Sequence, residues 1–239
     1  MNYKFIILFL FLALYFIFLR YPILENKGVI FYNSQDKLWA HRVLDTNLLV
    51  NISEEFNGVE LDVFYNLNRN LFDVKYHGND SKITLDKYFH SCEDLKLKFW
   101  VDFKNLNQNN VNPSIQLLNT LTNKYNLKSK IIIESKEIEL LSKFKEEGFY
   151  TSYWLPNYHF LKSILNINKI KRNILNYEPS VISMPYSSVW FYSRKFPNYP
   201  IHCWTNDMVT DNDKEKIKKL SEKDNVKVIL TDFKNNFLK

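Results

Sequence analysis

The stretch Gly58-Val-Glu-Leu-Asp-Val-Phe64 decides how this chain is read. Successive side chains of a strand point to opposite faces. Val59, Leu61 and Val63 therefore share one face, suited to packing beneath helices, and Glu60 and Asp62 share the other. A second stretch repeats the pattern. In Phe99-Trp-Val-Asp-Phe-Lys104, Phe99, Val101 and Phe103 form the apolar face, and Trp100, Asp102 and Lys104 lie opposite.

Working outward, short apolar runs fall at residues 38–42, 59–64, 72–77, 97–103, 130–134, 149–154, 181–184, 201–205 and 226–231, with helical patterns between most of them. Asn112-Pro113 reads as an N-cap followed by proline at the first helical position, with Ile115, Leu118 and Leu121 at helical spacing. Ser135 reads as the cap of a helix striped by Ile138, Leu141 and Phe144 and stopped by Gly148. Thr210 reads as the cap of a helix over 211–224 that buries Ile217 and Leu220. Repeated strand–helix units predict the α/β class and a parallel sheet with helices outside it. Eight units in a chain of this length predict a (β/α)8 TIM barrel. One strand is surplus. Residues 66–71 are too few for a parallel crossover, so 59–64 and 72–77 are expected to form a hairpin-like excursion at the rim. A doubly wound open sheet is the alternative, but no Gly-x-Gly-x-x-Gly or Walker A motif supports a nucleotide site.

The 239 residues are 46% hydrophobic and 24% charged, too apolar for a disordered chain. Two cysteines, Cys92 and Cys203, exclude a disulfide scaffold and a cysteine-rich zinc module, and leave one possible bridge. The net charge of +6 is a mild excess, and clusters such as Lys214–Lys219 alternate with acids. They read as a solvated helix face, and no nucleic-acid partner is expected. Residues 5–19 are an unbroken apolar run between Lys4 and Arg20. It is shorter than the ~20 residues of an untilted span, but Arg20 can snorkel and Tyr21, Ile23 and Leu24 extend it. No small-residue cleavage site follows, so residues 1–24 read as an uncleaved signal anchor helix, with a cleaved signal peptide as the alternative. Residues 25–239 form the main domain, placed outside the cytoplasm, membrane-anchored or, after cleavage, secreted. The sequons at Asn51 and Asn79 are expected by chance in an Asn-rich chain.

If both acid-bearing strands belong to one barrel, Glu60, Asp62 and Asp102 converge near its carboxyl end. Two carboxylates ~4 Å apart repel by ~4 kcal/mol at an effective dielectric of ~20. Three need a cation, a shared proton or strong donors, and an all-oxygen site suits Mg²⁺ or Ca²⁺. A single such acid is ordinarily a surface residue or a lysine partner; the two-strand pattern is not ordinary. His41 ends the first strand and His77 the third, where barrel enzymes place their sites. Histidine titrates near neutrality and suits proton transfer. Arg42 offers a fork for a phosphate. His90, His159 and His202 read as structural.

The order His41-Arg42, Glu60-x-Asp62 and a strand-ending His77 resembles the glycerophosphodiester phosphodiesterase family, and more broadly the phospholipase-C-like phosphodiesterase superfamily, a (β/α)8 fold. Thr84-Leu-Asp-Lys-Tyr-Phe89 looks like that family's Thr-Leu helix, and Val101-Asp-Phe-Lys104 like its acid-x-Lys strand. Trp204-Thr-Asn206 and Leu230-Thr-Asp232 look like its closing segments. The resemblance implies His41 and His77 as the general acid/base pair, and Glu60, Asp62 and Asp102 as ligands of a divalent cation. It implies Arg42 and Lys104 as phosphate binders and Trp204 as a stacking surface for the alcohol, unless Trp204 only closes the core. Departures are also present. Val43 stands where the family has glycine, Asp102 where it more usually has Glu, and Gly78 follows the second histidine. The insertion after that histidine is missing, a compact layout like the menorin-type branch.

The resemblance thus implies a metal-dependent phosphoric diester hydrolase acting on glycerophosphodiesters, lysophospholipids or phosphodiester-linked surface polymers. Two other readings stay open: a non-catalytic barrel binding a lipid head group, glycan or protein partner, and a lyase that releases a cyclic phosphate.

Overall fold

The computed structural model describes residues 37–75, 83–205 and 211–231, together with Tyr3, Ile7 and Leu10. The apolar run at 5–19, with the question of anchor or signal peptide, lies outside the described residues. Among the described residues no helix is long and apolar enough to cross a membrane.

Eight parallel strands close on themselves. They are β1 (Leu38–Ala40), β2 (Gly58–Asn66), β5 (Lys98–Phe103), β6 (Ile131–Ser135), β7 (Tyr150–Trp154), β8 (Val181–Pro185), β9 (Ile201–Trp204) and β10 (Val226–Thr231). Ala40 pairs with both Thr231 and Val59, which seals the ring. The surplus strand forms the expected excursion. β3 (Leu71–Val74) returns antiparallel on β2, and the two-residue β4 (Ile83–Thr84) pairs antiparallel with β3. A β-barrel of eight parallel strands with helices between them is the architecture expected from the repeated units.

Helices Val111–Lys124, Ile138–Glu146 and Asp211–Ser221 fall where the periodicity predicts them. Starts differ by a residue or two. Asn110, not Asn112, precedes the first of them, and its side chain serves the loop, accepting from Asn107 and donating to the Asn105 carbonyl. Pro113 fits in the first turn because the N–H groups there have no intrahelical partner anyway. Ser135 stays on β6 and accepts from the Glu137 amide. Gly148 adopts φ 81°, the left-handed stop that glycine tolerates. Thr210 lies outside the described residues. Helix Phe160–Tyr177, at 18 residues the longest among the described residues, and the short Leu49–Glu55, Leu85–His90 and Val189–Lys195 complete the outer layer.

The apolar faces of the strands pack outward. Val59, Leu61, Val63, Phe99, Val101 and Phe103 join the helices in the main core. The barrel interior holds a separate plug of Trp39, Trp100, Ile132, Val228 and Leu230, with Tyr150 and Trp204 against it. Gly58 is required by this plug: a Cβ there would come within 2.4–2.6 Å of the Trp39 ring. Cys92 and Cys203 are both buried and free, so the possible bridge is not formed.

Candidate active site

The alternation along β2 and β5 places Glu60, Asp62, Asp102 and Lys104 above the aromatic plug, at the carboxyl end of the barrel. Strand register then sets them in a tier. Asp62 pairs with Asp102, Asp102 with Glu134, and Glu134 with Ser152. All four acids are buried, at 2–6% relative exposure. Carboxylate oxygens of Glu60, Asp62 and Asp102 lie within 4.8 Å of one another.

Lys104 sits among these acids. Its Nζ is 2.8 Å from Asp62 Oδ1 and donates to Asp102 Oδ2. Burial alone would lower its pKa, but Asp102, Asp62 and Glu60 outweigh that and raise it. Glu60 is pushed well up by burial and by the neighbouring Asp62 and Asp102. Glu134 is raised to about 8, by burial first and Asp102 second. Four buried acids against one ammonium leave three negative charges if all ionise. Protons or a cation must compensate them, because burying unpaired charge is costly.

His41 and Arg42 complete one wall. His41 Nε2 is 3.8 Å from Glu60 Oε2, and the Arg42 backbone N–H donates to the same oxygen at 2.9 Å. Arg42 adopts φ 55°, a left-handed conformation uncommon outside glycine. Its side chain is exposed at the mouth. Opposite, the Trp154 and Trp204 rings meet edge to face at 5.8 Å, and Lys104 Nζ lies 5.2 Å from the Trp154 ring. Together these residues line a cleft of about 170 Å³. That is close to the ~150 Å³ cavity known to hold benzene, so one small head group fits.

The structure thus brings together seven of the eight residues singled out from the sequence. His77 is the eighth and lies outside the described residues. Thr84 caps the following helix, accepting from the Lys87 amide at 3.4 Å, as the Thr-Leu segment implies. Beyond those seven, Glu134, Trp154 and Leu230 also line the cleft, and none of them was assigned a role from the sequence. The signal for Glu134 was only partial: in Ile131-Ile-Ile-Glu-Ser135 it shares a strand face with Ile132 as Asp102 does with Trp100. Trp154 closes its strand in the position that Trp204 holds on β9.

No protein-family model and no curated protein matches the chain. Solved structures do. A glycerophosphodiester phosphodiesterase from Parabacteroides distasonis is similar at 16% identity, with a TM-score of 0.62, over 82% of this chain and 92% of that one. A phosphodiesterase from Oleispira antarctica, solved with the product sn-glycerol-3-phosphate, is similar at 10% identity and a TM-score of 0.62, over 85% and 94%. A calcium-dependent phosphoinositol-specific phospholipase C from Pseudomonas is similar at 10% identity and a TM-score of 0.55, over 82% and 88%. At such identities the likeness establishes the barrel and leaves the chemistry to the residues.

Proposed function

We propose that this chain is a metal-dependent phosphodiesterase, a phosphoric diester hydrolase acting on glycerophosphodiester-like or lysophospholipid substrates. The observation that carries it is the buried trio Glu60, Asp62 and Asp102 at the carboxyl mouth of the barrel. The donor set fits a hard divalent cation. Three buried carboxylates with oxygens within 4.8 Å of one another make the all-oxygen donor set that Mg²⁺ or Ca²⁺ would take. Bound there, such an ion would polarise a phosphoryl oxygen and offset its developing charge.

The other residues divide the remaining work. Arg42 at the mouth and Lys104 at the floor offer donors to the phosphate from two sides. In this reading His41 takes or gives a proton at Nε2, the ring nitrogen that faces Glu60. His77 is its partner in the reading, one as base toward the attacking water or hydroxyl and the other as acid toward the leaving alcohol. Trp154 and Trp204 form the wall against which the alcohol packs. The anchoring of the barrel outside the cytoplasm by residues 1–24 belongs to the same proposal and is checked by protease accessibility on intact cells.

The test is divalent-dependent release from glycerophosphocholine, glycerophosphoethanolamine and lysophosphatidylcholine by the full chain, with Asp62→Asn, His41→Ala and His77→Ala. Turnover lost in all three variants supports the reading. Turnover unchanged in both histidine variants refutes the acid/base assignment. Phosphorus NMR of the products separates hydrolysis from release of a cyclic phosphate. One observation favours a second, non-catalytic reading. Lys104 already forms an ion pair with both Asp62 and Asp102, which would suit a site that binds a head group without a cation. Titration calorimetry that finds no Mg²⁺ or Ca²⁺ binding would select it.

A further inference from the structure

We propose that the sector formed by residues 148–206, on one side of the barrel, is a docking surface for an anionic lipid bilayer. The first observation is charge. This segment holds six Lys and Arg (Lys162, Lys169, Lys171, Arg172, Arg194, Lys195), of which Lys171 is buried, and a single acid, Glu178. It therefore carries +5 of the chain's +6, and the other 180 residues carry +1. The second is exposed apolar surface. Within residues 37–231, six large hydrophobic side chains are exposed among the described residues, and four of them fall here: Phe160 at 66%, Leu165 at 78%, Leu175 at 48% and Trp190 at 46%.

The two features interleave. Helix Phe160–Tyr177 buries Ile170 and Ile174 against the barrel. Its outer face presents Leu165, Lys169, Arg172 and Leu175, all exposed and spaced four, three and three residues apart. That spacing makes a single row on a helix. A helix facing only water has no use for leucines in that row, whereas one lying in a bilayer interface uses alternating apolar and cationic groups. Trp190 repeats the theme on the neighbouring helix. It packs on Tyr158 at 4.9 Å, and the Arg194 guanidinium lies 5.7 Å from its ring. Tryptophan with a cation beside it suits the head-group level. Phe160 opens, and Trp190 stands second in, a helix that follows a barrel strand, so both stand on the rim that carries the cleft. A nucleic acid would account for the cations but not for Leu165 and Leu175; an anionic lipid surface accounts for both. The surface does not depend on the chemistry assigned to the cleft.

The test uses the full chain with phosphatidylcholine vesicles, with and without phosphatidylglycerol, carrying bromine on their acyl chains. Trp39 and Trp100 are fully buried and Trp154 and Trp204 are half-buried, which leaves Trp190 as the exposed tryptophan. The expected result is quenching by anionic vesicles that is lost in Trp190→Phe. Lys169→Glu with Arg172→Glu, checked for fold by circular dichroism, should lower partition to anionic vesicles more than about tenfold, since each basic residue near such a surface contributes roughly fivefold. Vesicle binding without quenching of Trp190 places the contact elsewhere, such as residues 1–24, and overturns the proposal. So does equal binding to neutral and anionic vesicles. Binding of duplex DNA that depends on Lys169 and Arg172, with Trp190 unquenched by lipid, would assign the surface to nucleic acid instead.

Discussion

Lys104→Met in a chelator tests whether the acid cluster needs a positive charge to exist. The ammonium is 2.8 Å from Asp62 Oδ1 and also bonded to Asp102. At an effective dielectric of ~20, one such contact is worth ~6 kcal/mol of gross attraction, most of it offset by desolvation. Removing one partner of a buried pair typically costs ~3–5 kcal/mol, because the remaining charge is left uncompensated. The Lys104 side chain keeps 14% exposure, which places this case at the lower end. About 3 kcal/mol corresponds to a melting shift of roughly 6–12 °C in a domain of this size. Methionine keeps much of the side-chain volume, so cavity formation adds little. The second half of the prediction concerns cations. With the ammonium gone, a divalent ion meets the carboxylates without a like charge beside them. Added Ca²⁺ or Mg²⁺ should therefore raise the melting temperature of Lys104→Met by more than it raises that of the wild type, through preferential binding to the folded state. The assay is thermal unfolding in EDTA and across a cation titration. If the variant melts with the wild type in EDTA, or if cation lifts both proteins equally, the carboxylates are not the coupled unit described above.

Three further outcomes follow from single side chains. Burial and Asp102 hold the Glu134 carboxyl at about 8, above its ordinary 4.5, so the native state keeps a proton that the unfolded state has lost. Its contribution is full below pH 4.5 and fades as pH rises to about 8. In EDTA, Glu134→Gln should flatten the fall of stability across that window and melt higher than the wild type at pH 9; an unchanged slope sinks the argument. Gly58→Ala drives a methyl into the Trp39 ring and should cost ~1–3 kcal/mol in denaturant unfolding, despite the lower chain entropy of alanine; a rise in stability would show that Trp39 can move aside. Tyr88→Phe removes a buried hydrogen bond of 2.7 Å to the Val43 carbonyl. It should cost about 1 kcal/mol in stability, and any turnover should fall with it because the loop behind His41 loosens. Full activity with lost stability would separate that loop from the site.

The strands were legible because alternation is a local signal. Every barrel strand coincides with an apolar run, and the surplus ninth run is the antiparallel β3, as the six-residue gap before it dictates. The metal-type trio was legible for the same reason, since two strands of matching parity put three acids on one inner wall. What alternation could not give was register. Only the pairing of Asp102 with Glu134 reveals that a fourth carboxylate stands in the tier, because a single acid ending an apolar strand looks the same whether it faces a cleft or water. Nor could the sequence tell that Lys104 reaches Asp62 and Asp102, because a strand face records direction and not distance. The short helices Leu49–Glu55 and Val189–Lys195 were not legible because seven residues hold too few turns for periodicity to show.

Valine at position 43 is the departure from the resembled family that most invites doubt about the site, and the structure gives it a physical account. A glycine beside a catalytic histidine ordinarily signals a backbone turn that other residues resist. Here the left-handed residue is Arg42, at φ 55°, while Val43 is buried with its N–H donating to the Glu60 carbonyl at 2.9 Å and its carbonyl receiving Tyr88. The turn is therefore made one residue earlier and fastened on both sides of Val43. A left-handed arginine costs roughly 1–2 kcal/mol, and it persists because the Arg42 N–H gains a hydrogen bond to the buried Glu60 carboxyl group. That same oxygen faces His41 Nε2. Backbone strain at Arg42, the orientation of Glu60 and the placement of His41 are thus one arrangement, and it forms without glycine at position 43.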